Sequence, residues 1–282
     1  MITKNPMQLK ALIKNKAKEA NITPQAALQA YCLERLLERI SISDKASCFI
    51  IKGGFLISSF IGIENRSTMD IDTTIKGFDV TKENVAEIFK SICQIHVDDQ
   101  LNFIFDRVDD IRETDDYPGI RVFLHAVYGI INTSLTVDVT AGDSIVPSEI
   151  EYEYHCVYDE KTINIMAYPL ENVLAEKLET IISRGTANTR PRDFYDVYIL
   201  YKLKIDDINW NTLRKALEAT SKKRNSEVIL EDYKTVLETL KSDSSQREYW
   251  TRYEAKTPFV KGISYEQALS AVEDCFIRLI QN

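Results

Sequence analysis

Asp70 and Asp72 are the residues whose type and spacing point most directly to chemistry. They end the run Arg66-Ser67-Thr68-Met69-Asp70-Ile71-Asp72. Side chains two apart on a strand share a face. The spacing therefore predicts two carboxylates side by side, with Met69 and Ile71 turned to a core. Parallel carboxylates repel unless a cation lies between them. Mg²⁺ takes oxygen ligands and favours carboxylates together with phosphates. Upstream, Phe49-Ile50-Ile51-Lys52-Gly53-Gly54-Phe55-Leu56 reads as a short apolar strand, a glycine pair and the start of a helix. Backbone N–H groups freed at such a turn make a phosphate cradle. A phosphate cradle followed by paired metal ligands suits chemistry on a nucleoside triphosphate.

Other residues could join this set. In Leu135-Thr136-Val137-Asp138-Val139-Thr140 the odd positions are apolar, so Thr136, Asp138 and Thr140 share the other face. Beside the strand that carries Asp70 and Asp72, Asp138 would complete a trio able to hold two Mg²⁺ ions. The alternative is a solvent-facing strand aspartate, although aspartate is a poor strand former. Arg66 is either a phosphate ligand or one half of a structural ion pair. Lys177 follows Val173 by four residues on a helix and sits at the edge of its apolar stripe. There it either snorkels to solvent or turns inward as a point charge for a triphosphate. Asp193 falls in the first turn of a helix opened by Pro191, where the helix dipole alone would explain it. Arg184, Arg190 and Arg192 cluster around one loop, and Lys222-Lys223-Arg224 forms a second basic spot.

The elements that must position these residues divide the chain. Residues 5–40 read as helical, interrupted at Asn21-Ile22-Thr23-Pro24, with Thr23 as N-cap and Pro24 at the first helical position. From 48 to 141, short apolar runs predict strands at 48–51, 69–75, 100–107, 119–128 and 131–140. Helices follow Gly54 and span 81–93. A hairpin is expected within 152–167. Beyond Pro169 the pattern is helical: 170–184, 191–203, 209–220, 226–242, a segment holding Trp250, and 264–280. The expected organisation is α+β, with a domain over 1–165 and a helical domain over 166–282.

Composition narrows the classes. The chain has 282 residues, 44% hydrophobic, enough to bury a sizeable core. Its five cysteines are odd in number and lack CxxC spacing, and its three histidines show no zinc spacing. These features point to reduced thiols and a cytoplasmic protein. There is no secretory pattern and no run long enough for a membrane span. A net charge of −8 argues against a generally basic nucleic-acid surface, though not against a local groove.

Taken together, Lys52-Gly53-Gly54…Arg66-x-Thr68-x-Asp70-Ile71-Asp72, Leu174-Ala175-Glu176-Lys177-Leu178-Glu179 and Arg190-Pro191-Arg192-Asp193-Phe194-Tyr195-Asp196 resemble the AbiEii/AbiGii toxin family. These are abortive-infection nucleotidyltransferases of type IV toxin–antitoxin systems. The motifs span about 50 to 198. The resemblance implies a DNA-polymerase-β-like catalytic fold followed by a helical domain. It implies that Gly53 and Gly54 cradle the nucleotide and that Asp70 and Asp72 bind Mg²⁺, with Asp138 where the broader fold carries a third carboxylate and so the third expected metal ligand; Arg66 is counted among the nucleotide-binding residues. It makes Asp70, Asp72, Lys177 and Asp193 the essential set, with Lys177 on the triphosphate. One departure stands out: Phe55 follows Gly54, where much of the wider superfamily places a serine or threonine.

The reading is a cytoplasmic, Mg²⁺-dependent nucleotidyltransferase, the toxin of a bacterial pair that blocks phage spread or growth. It would pass NMP from an NTP to RNA, with the tRNA 3′ end as acceptor. A cognate antitoxin would act without a stable complex, and no membrane is involved. The alternative acceptor is a small molecule or a protein hydroxyl, which the net acidity favours.

Overall fold

A computed structural model of the chain describes residues 3, 5–111 and 119–281. The chain divides into two units. One comprises Met1–Gly142 with Ile150–Ala167, the other Asp143–Glu149 with Tyr168–Asn282.

The first unit is built on a seven-stranded mixed sheet. Two helices lead into it, α1 (Pro6–Glu19) and α2 (Pro24–Ser41). Asn5 caps the first by accepting from the Gln8 amide, and Thr23 caps the second by accepting from Ala26. Then come β1 (Phe49–Lys52), α3 (Gly53–Ile61), β2 (Asp70–Ile75), α4 (Lys82–Cys93), β3 (Asn102–Asp110), β4 (Ile120–Tyr128), β5 (Ile131–Ala141), β6 (Ile150–His155) and β7 (Thr162–Ala167). The strand order is β3-β4-β5-β2-β1-β7-β6. Pairing is parallel between β2 and β5 and between β1 and β7, and antiparallel elsewhere. The predicted α+β class and the hairpin before residue 167 are both present.

The sheet has a dry face and a more open one, and sequence alternation assigns each side chain to one of them. Val122, Leu124 and Ala126 on β4, and Leu135, Val137 and Val139 on β5, are fully or almost fully buried, as is Ile71 on β2. Each valine, leucine or isoleucine side chain among them contributes about 1.5–3 kcal/mol when taken from water. Arg121, Phe123, Thr136, Asp138, Asp70 and Asp72 alternate with them and are only half-buried. Met69 departs from expectation. The strand begins one residue later, and Met69 is 50% exposed, its carbonyl accepting from the Gln29 side chain. A residue ahead of the ladder is not held to the alternation that governs those within it.

Two ionic clusters anchor α2. Arg35 pairs with Glu34 at 2.6 Å, Glu38 at 2.9 Å and Asp159 at 3.0 Å, while Glu34 also accepts from Tyr154 and the Val157 amide. This ties the helix to the β6–β7 hairpin. Arg39, 1% exposed, donates to both oxygens of Asp99 at 2.7 and 2.8 Å and to the Ile95, Leu101 and Arg35 carbonyls.

The second unit is helical: α5 (Leu170–Arg184), α6 (Pro191–Lys204), α7 (Trp210–Arg224), α8 (Glu227–Glu231), α9 (Tyr233–Ser242), α10 (Ser244–Lys256) and α11 (Tyr265–Gln281). Buried Asn172 accepts from the Val146 amide and donates to the Ser144 carbonyl, which fastens the 143–149 segment to α5. The single helix expected over 226–242 is two, broken at Asp232. The Asp232 carboxylate accepts from the Thr235 hydroxyl, a local bond of the kind that competes with helix continuation. No helix among the described residues is long and apolar enough to cross a membrane.

The Arg39 clamp gives a stability prediction. Asp99→Ala leaves a buried guanidinium without its carboxylate and should cost about 3–5 kcal/mol. Urea denaturation followed by circular dichroism measures this. A midpoint equal to wild type would remove the clamp from the list of supports.

Candidate functional site

β1 and β2 run antiparallel with Lys52 opposite Asp72, and β2 and β5 run parallel with Asp72 opposite Asp138. β4 then places Arg121 opposite Asp138. One row across four strands thus reads Lys52, Asp72, Asp138, Arg121: a cation, two carboxylates, a cation. Asp70 lies one step along β2 from this row, on the same face as Asp72. The register therefore puts Asp70, Asp72 and Asp138 on one face of the adjacent strands β2 and β5.

The glycine turn closes on the same carboxylate. Gly53 has φ +67°, a conformation that L side chains rarely adopt. A Cβ on Gly53 would stand 2.0 Å from Asp72 Oδ2. The Gly54 amide, at the start of α3, donates to that oxygen at 3.4 Å. Aiming a carboxylate at a helix N-terminus is electrostatically favourable. Gly54 is confined in its turn, since a Cβ there would meet Arg66 Nη2 and Thr68 Oγ1, both at 3.0 Å. Arg66 is buried against this turn and donates to the Ser67 carbonyl. Thr68 donates to Asp70 Oδ1 at 2.8 Å, which fixes that carboxylate's rotamer. Glycine at 53 lets the Asp72 carboxylate pack directly against the turn, where any side chain would collide with it. Two hard oxygen donors on one strand face beside this turn fit a divalent cation and a phosphate.

Asp138 is engaged differently. Arg121 Nε and Nη2 each donate to one of its oxygens at 2.7 Å. These bonds hold the guanidinium above its ordinary pKa, and the charges of Asp138, Asp70 and Asp72 push the same way. Sequence reasoning missed Arg121, because its approach to Asp138 depends on strand register that no local pattern displays.

A separate group deserves comparison. Among the described residues, Glu34, Cys156 and Asp159 bring three ligand atoms within 4.8 Å of one another. Arg35 already pairs with both acids there. Burial and the Glu34 charge push the Cys156 thiol up to about 12, so it is no ready thiolate ligand. This cluster is an internal ion pair rather than a metal centre.

In the helical unit, Lys177 on α5 pairs with Asp193 at 2.7 Å and Asp196 at 3.0 Å, both on α6. The lysine side chain is 18% exposed and the acids 4% and 0%. The snorkelling alternative for Lys177 is therefore overturned. Asp196 was absent from the expected set, although its spacing of three from Asp193 on one helix was a visible signal. Arg224, expected in a basic spot, is drawn inward to Glu179 and Glu176. Lys222 and Lys223 remain exposed.

A protein-family model described as "Nucleotidyl transferase AbiEii toxin, Type IV TA system" matches residues 35–271. Two crystal structures share the fold. One is described as a candidate nucleotidyltransferase from H. pylori, with TM-score 0.55 and 14% identity over 92% of this chain and 97% of that one. The other is JHP933 from Helicobacter pylori, with TM-score 0.56 and 15% identity over 92% of this chain and 94% of that one. No curated protein matches the chain.

Gly53→Ala should displace the Asp72 carboxylate and carry the strain of a left-handed backbone, a cost of about 1–3 kcal/mol. We expect a lower melting temperature together with weakened divalent-cation binding in calorimetry. Gly54→Ala, whose backbone is ordinary, should be milder on both. A Gly53→Ala protein equal to wild type in both measurements would refute the close approach to Asp72.

Proposed function

The chain belongs to the AbiEii family of nucleotidyl transferase toxins of type IV toxin–antitoxin systems, and from that premise we propose that it is an Mg²⁺-dependent enzyme that passes NMP from an NTP to RNA. The observation that carries this reading is the pairing of Asp70 and Asp72 on one strand face, with the Asp72 carboxylate packed directly against the Gly53–Gly54 turn. We read the sheet as a DNA-polymerase-β-like catalytic fold.

In the proposed reaction an acceptor hydroxyl oxygen attacks the α-phosphorus of the NTP. The new O–P bond forms as the bond to the β-phosphate oxygen breaks, the hydroxyl proton passes to solvent, and pyrophosphate leaves. Asp70 and Asp72 would hold Mg²⁺, which when bound neutralises charge on the triphosphate. The protein's share is positioning and electrostatics. Thr68 holds the Asp70 carboxylate, and the Gly53–Gly54 turn and the α3 N-terminus receive phosphate oxygens. Arg66, buried at this turn, keeps it in shape for the nucleotide. Phe55 supplies no hydroxyl, so backbone amides carry that contact. Lys177 is the cation we assign to the triphosphate, with Asp193 as its partner.

The tRNA 3′ end is the acceptor we favour, in the cytoplasm, with a cognate antitoxin that acts without a stable complex. The inward turn of Arg224 leaves Arg184, Arg190, Arg192, Lys222 and Lys223 as the candidate backbone contacts. With a net charge of −8, this modest set also keeps a small-molecule or protein hydroxyl in view as the acceptor.

Incubating the purified protein with total RNA, Mg²⁺ and each labelled NTP in turn tests chemistry, acceptor and base together. We expect label in a small RNA with one NTP, lost in Asp70→Asn and Asp72→Asn while both variants stay folded. Near wild-type transfer by either variant would remove the metal assignment. Phosphate contacts release counterions, so transfer to RNA should fall steeply with salt. Arg190→Ala should raise the KM for RNA and flatten that slope. If neither changes, this loop does not meet the acceptor, and a salt-insensitive reaction would favour the small-molecule or protein acceptor.

A further inference from the structure

The open face of the sheet carries a second row beside the first, one step along each strand from Asp72 and Asp138. Asp70 on β2 is the register partner of Thr136 on β5, Thr136 of Phe123 on β4, and Phe123 of Arg107 on β3. This row reads acid, hydroxyl, aromatic ring, cation. A β-bulge puts its last member in place. The β3–β4 register shifts between Phe105 and Arg107, so Asp106 is the extra residue and Arg107 lies opposite Phe123. The Arg107 guanidinium carbon stands over the Phe123 ring, 3.8 Å from its centroid. Its Nη1 donates to Asp106 at 2.6 Å and its Nε to Asp109 at 3.0 Å. An arginine side chain 52% exposed is ordinarily free to change rotamer. This one is held over an aromatic ring by two carboxylates. The same carboxylates offset its attraction for a phosphate. What it offers a ligand is the outer side of a planar group, and bases stack on guanidinium planes as they do on aromatic rings.

We propose that Arg107, backed by Phe123, is the stacking platform for the 3′-terminal base of a single-stranded RNA acceptor. This rests on the reading of Asp70 and Asp72 as the reaction centre and of the Gly53–Gly54 turn as the triphosphate cradle. In an in-line displacement the attacking oxygen approaches the phosphorus opposite the leaving group. The cradle follows β1, on one side of β2, so pyrophosphate departs toward β1. The acceptor then arrives from the other side, over β5, β4 and β3. Phe123 is two strands from Asp70, about 10 Å at the usual strand spacing. A terminal nucleotide can bridge that span with its sugar hydroxyl toward the acids and its base on the guanidinium. Thr136 lies between the two and offers its hydroxyl to the ribose. The platform binds and orients; the bonds made and broken are those of the transfer already described.

A short single-stranded RNA with 2-aminopurine as its 3′-terminal base tests this without turnover, because stacking quenches the fluorescence of that base. The full-length protein is titrated with it in Mg²⁺ and without NTP. Wild type should bind the RNA and quench the label. Arg107→Ala should bind roughly tenfold more weakly, the scale of one lost base stack, and leave the label bright. Arg107→Lys keeps the charge, loses the plane and should behave as Arg107→Ala does. Arg107→Tyr loses the charge, restores a plane and should quench as wild type does, which guards against a merely misfolded alanine variant. The salt slope of binding should be the same in wild type and Arg107→Ala, since no phosphate contact is lost. A slope flattened by about 0.7 in Arg107→Ala, with Arg107→Lys equal to wild type, would make Arg107 a phosphate contact and overturn the proposal. Wild-type binding and quenching in Arg107→Ala would overturn it too, as would a wild type that neither binds nor quenches the RNA. So would quenching of 2-aminopurine riboside triphosphate that Arg107→Ala abolishes, which would give the platform to the incoming nucleotide. Failure of the underlying reading shows elsewhere, as unimpaired transfer by Asp70→Asn and Asp72→Asn.

Discussion

Two carboxylates at matched positions on neighbouring strands are the constraint around which the first unit is arranged. Asp72 and Asp138 are register partners in the parallel β2–β5 ladder. At a strand spacing of about 5 Å and an effective dielectric constant of about 20, their repulsion is roughly 3 kcal/mol. Nothing in the backbone ladder offsets this. The offset comes from the groups around them: Arg121 on β4, Lys52 as the register partner of Asp72 on β1, and the amide of Gly54 at the start of α3. The glycine at 53 belongs to the same account, because a methyl group there would collide with the Asp72 carboxylate.

Such a face keeps its shape only if the opposite face is rigid. The row of Ile71, Val122, Val137 and their neighbours is almost wholly excluded from water. Each side chain in such a row is locked by its neighbours, so the acids alternating with them inherit fixed Cα positions. Helix α2 adds buried ionic contacts. Arg35 and Arg39 are both buried among carboxylates and carbonyls. Buried pairs of this kind add little net stability against an apolar replacement, but breaking one is costly. They therefore specify where α2 and the β6–β7 hairpin lie more than they strengthen the fold.

Much of this was legible in the sequence, and each failure has a physical cause. Alternation along β4 and β5, the cap at Thr23, and the glycine pair before α3 are all local signals, and each corresponds to an element found. Asp70 and Asp72 were identifiable because a spacing of two is itself the strand repeat. Arg121 was not, because a β4 residue meets Asp138 only through a register fixed by the β4–β5 hairpin, and no single residue announces that pairing. Met69 failed for the opposite reason: the alternation was extended one residue beyond the ladder that enforces it. Arg224 looked like part of a solvated basic run, whereas Glu176 and Glu179, a helix away in sequence, turn it inward. Residues governed by periodicity were read correctly, and residues governed by long-range ionic partners were not.

The helical unit shows the same charge logic with a different cation. Lys177 faces two buried acids. Asp193 stands in the first turn of α6, where the partial positive charge of the helix N-terminus favours a carboxylate. A lysine extended into solvent keeps several rotatable bonds free, and ordering it on a ligand would cost up to about 2 kcal/mol of side-chain entropy. A lysine clamped between Asp193 and Asp196 has lost that freedom during folding. Its ammonium is thus set in place before any ligand arrives, the condition under which a point charge is most effective toward a phosphate. The pair of acids explains why this position suits an ammonium. Three donors around one nitrogen can reach acceptors on successive turns of a single helix, whereas a planar guanidinium would have to choose one edge.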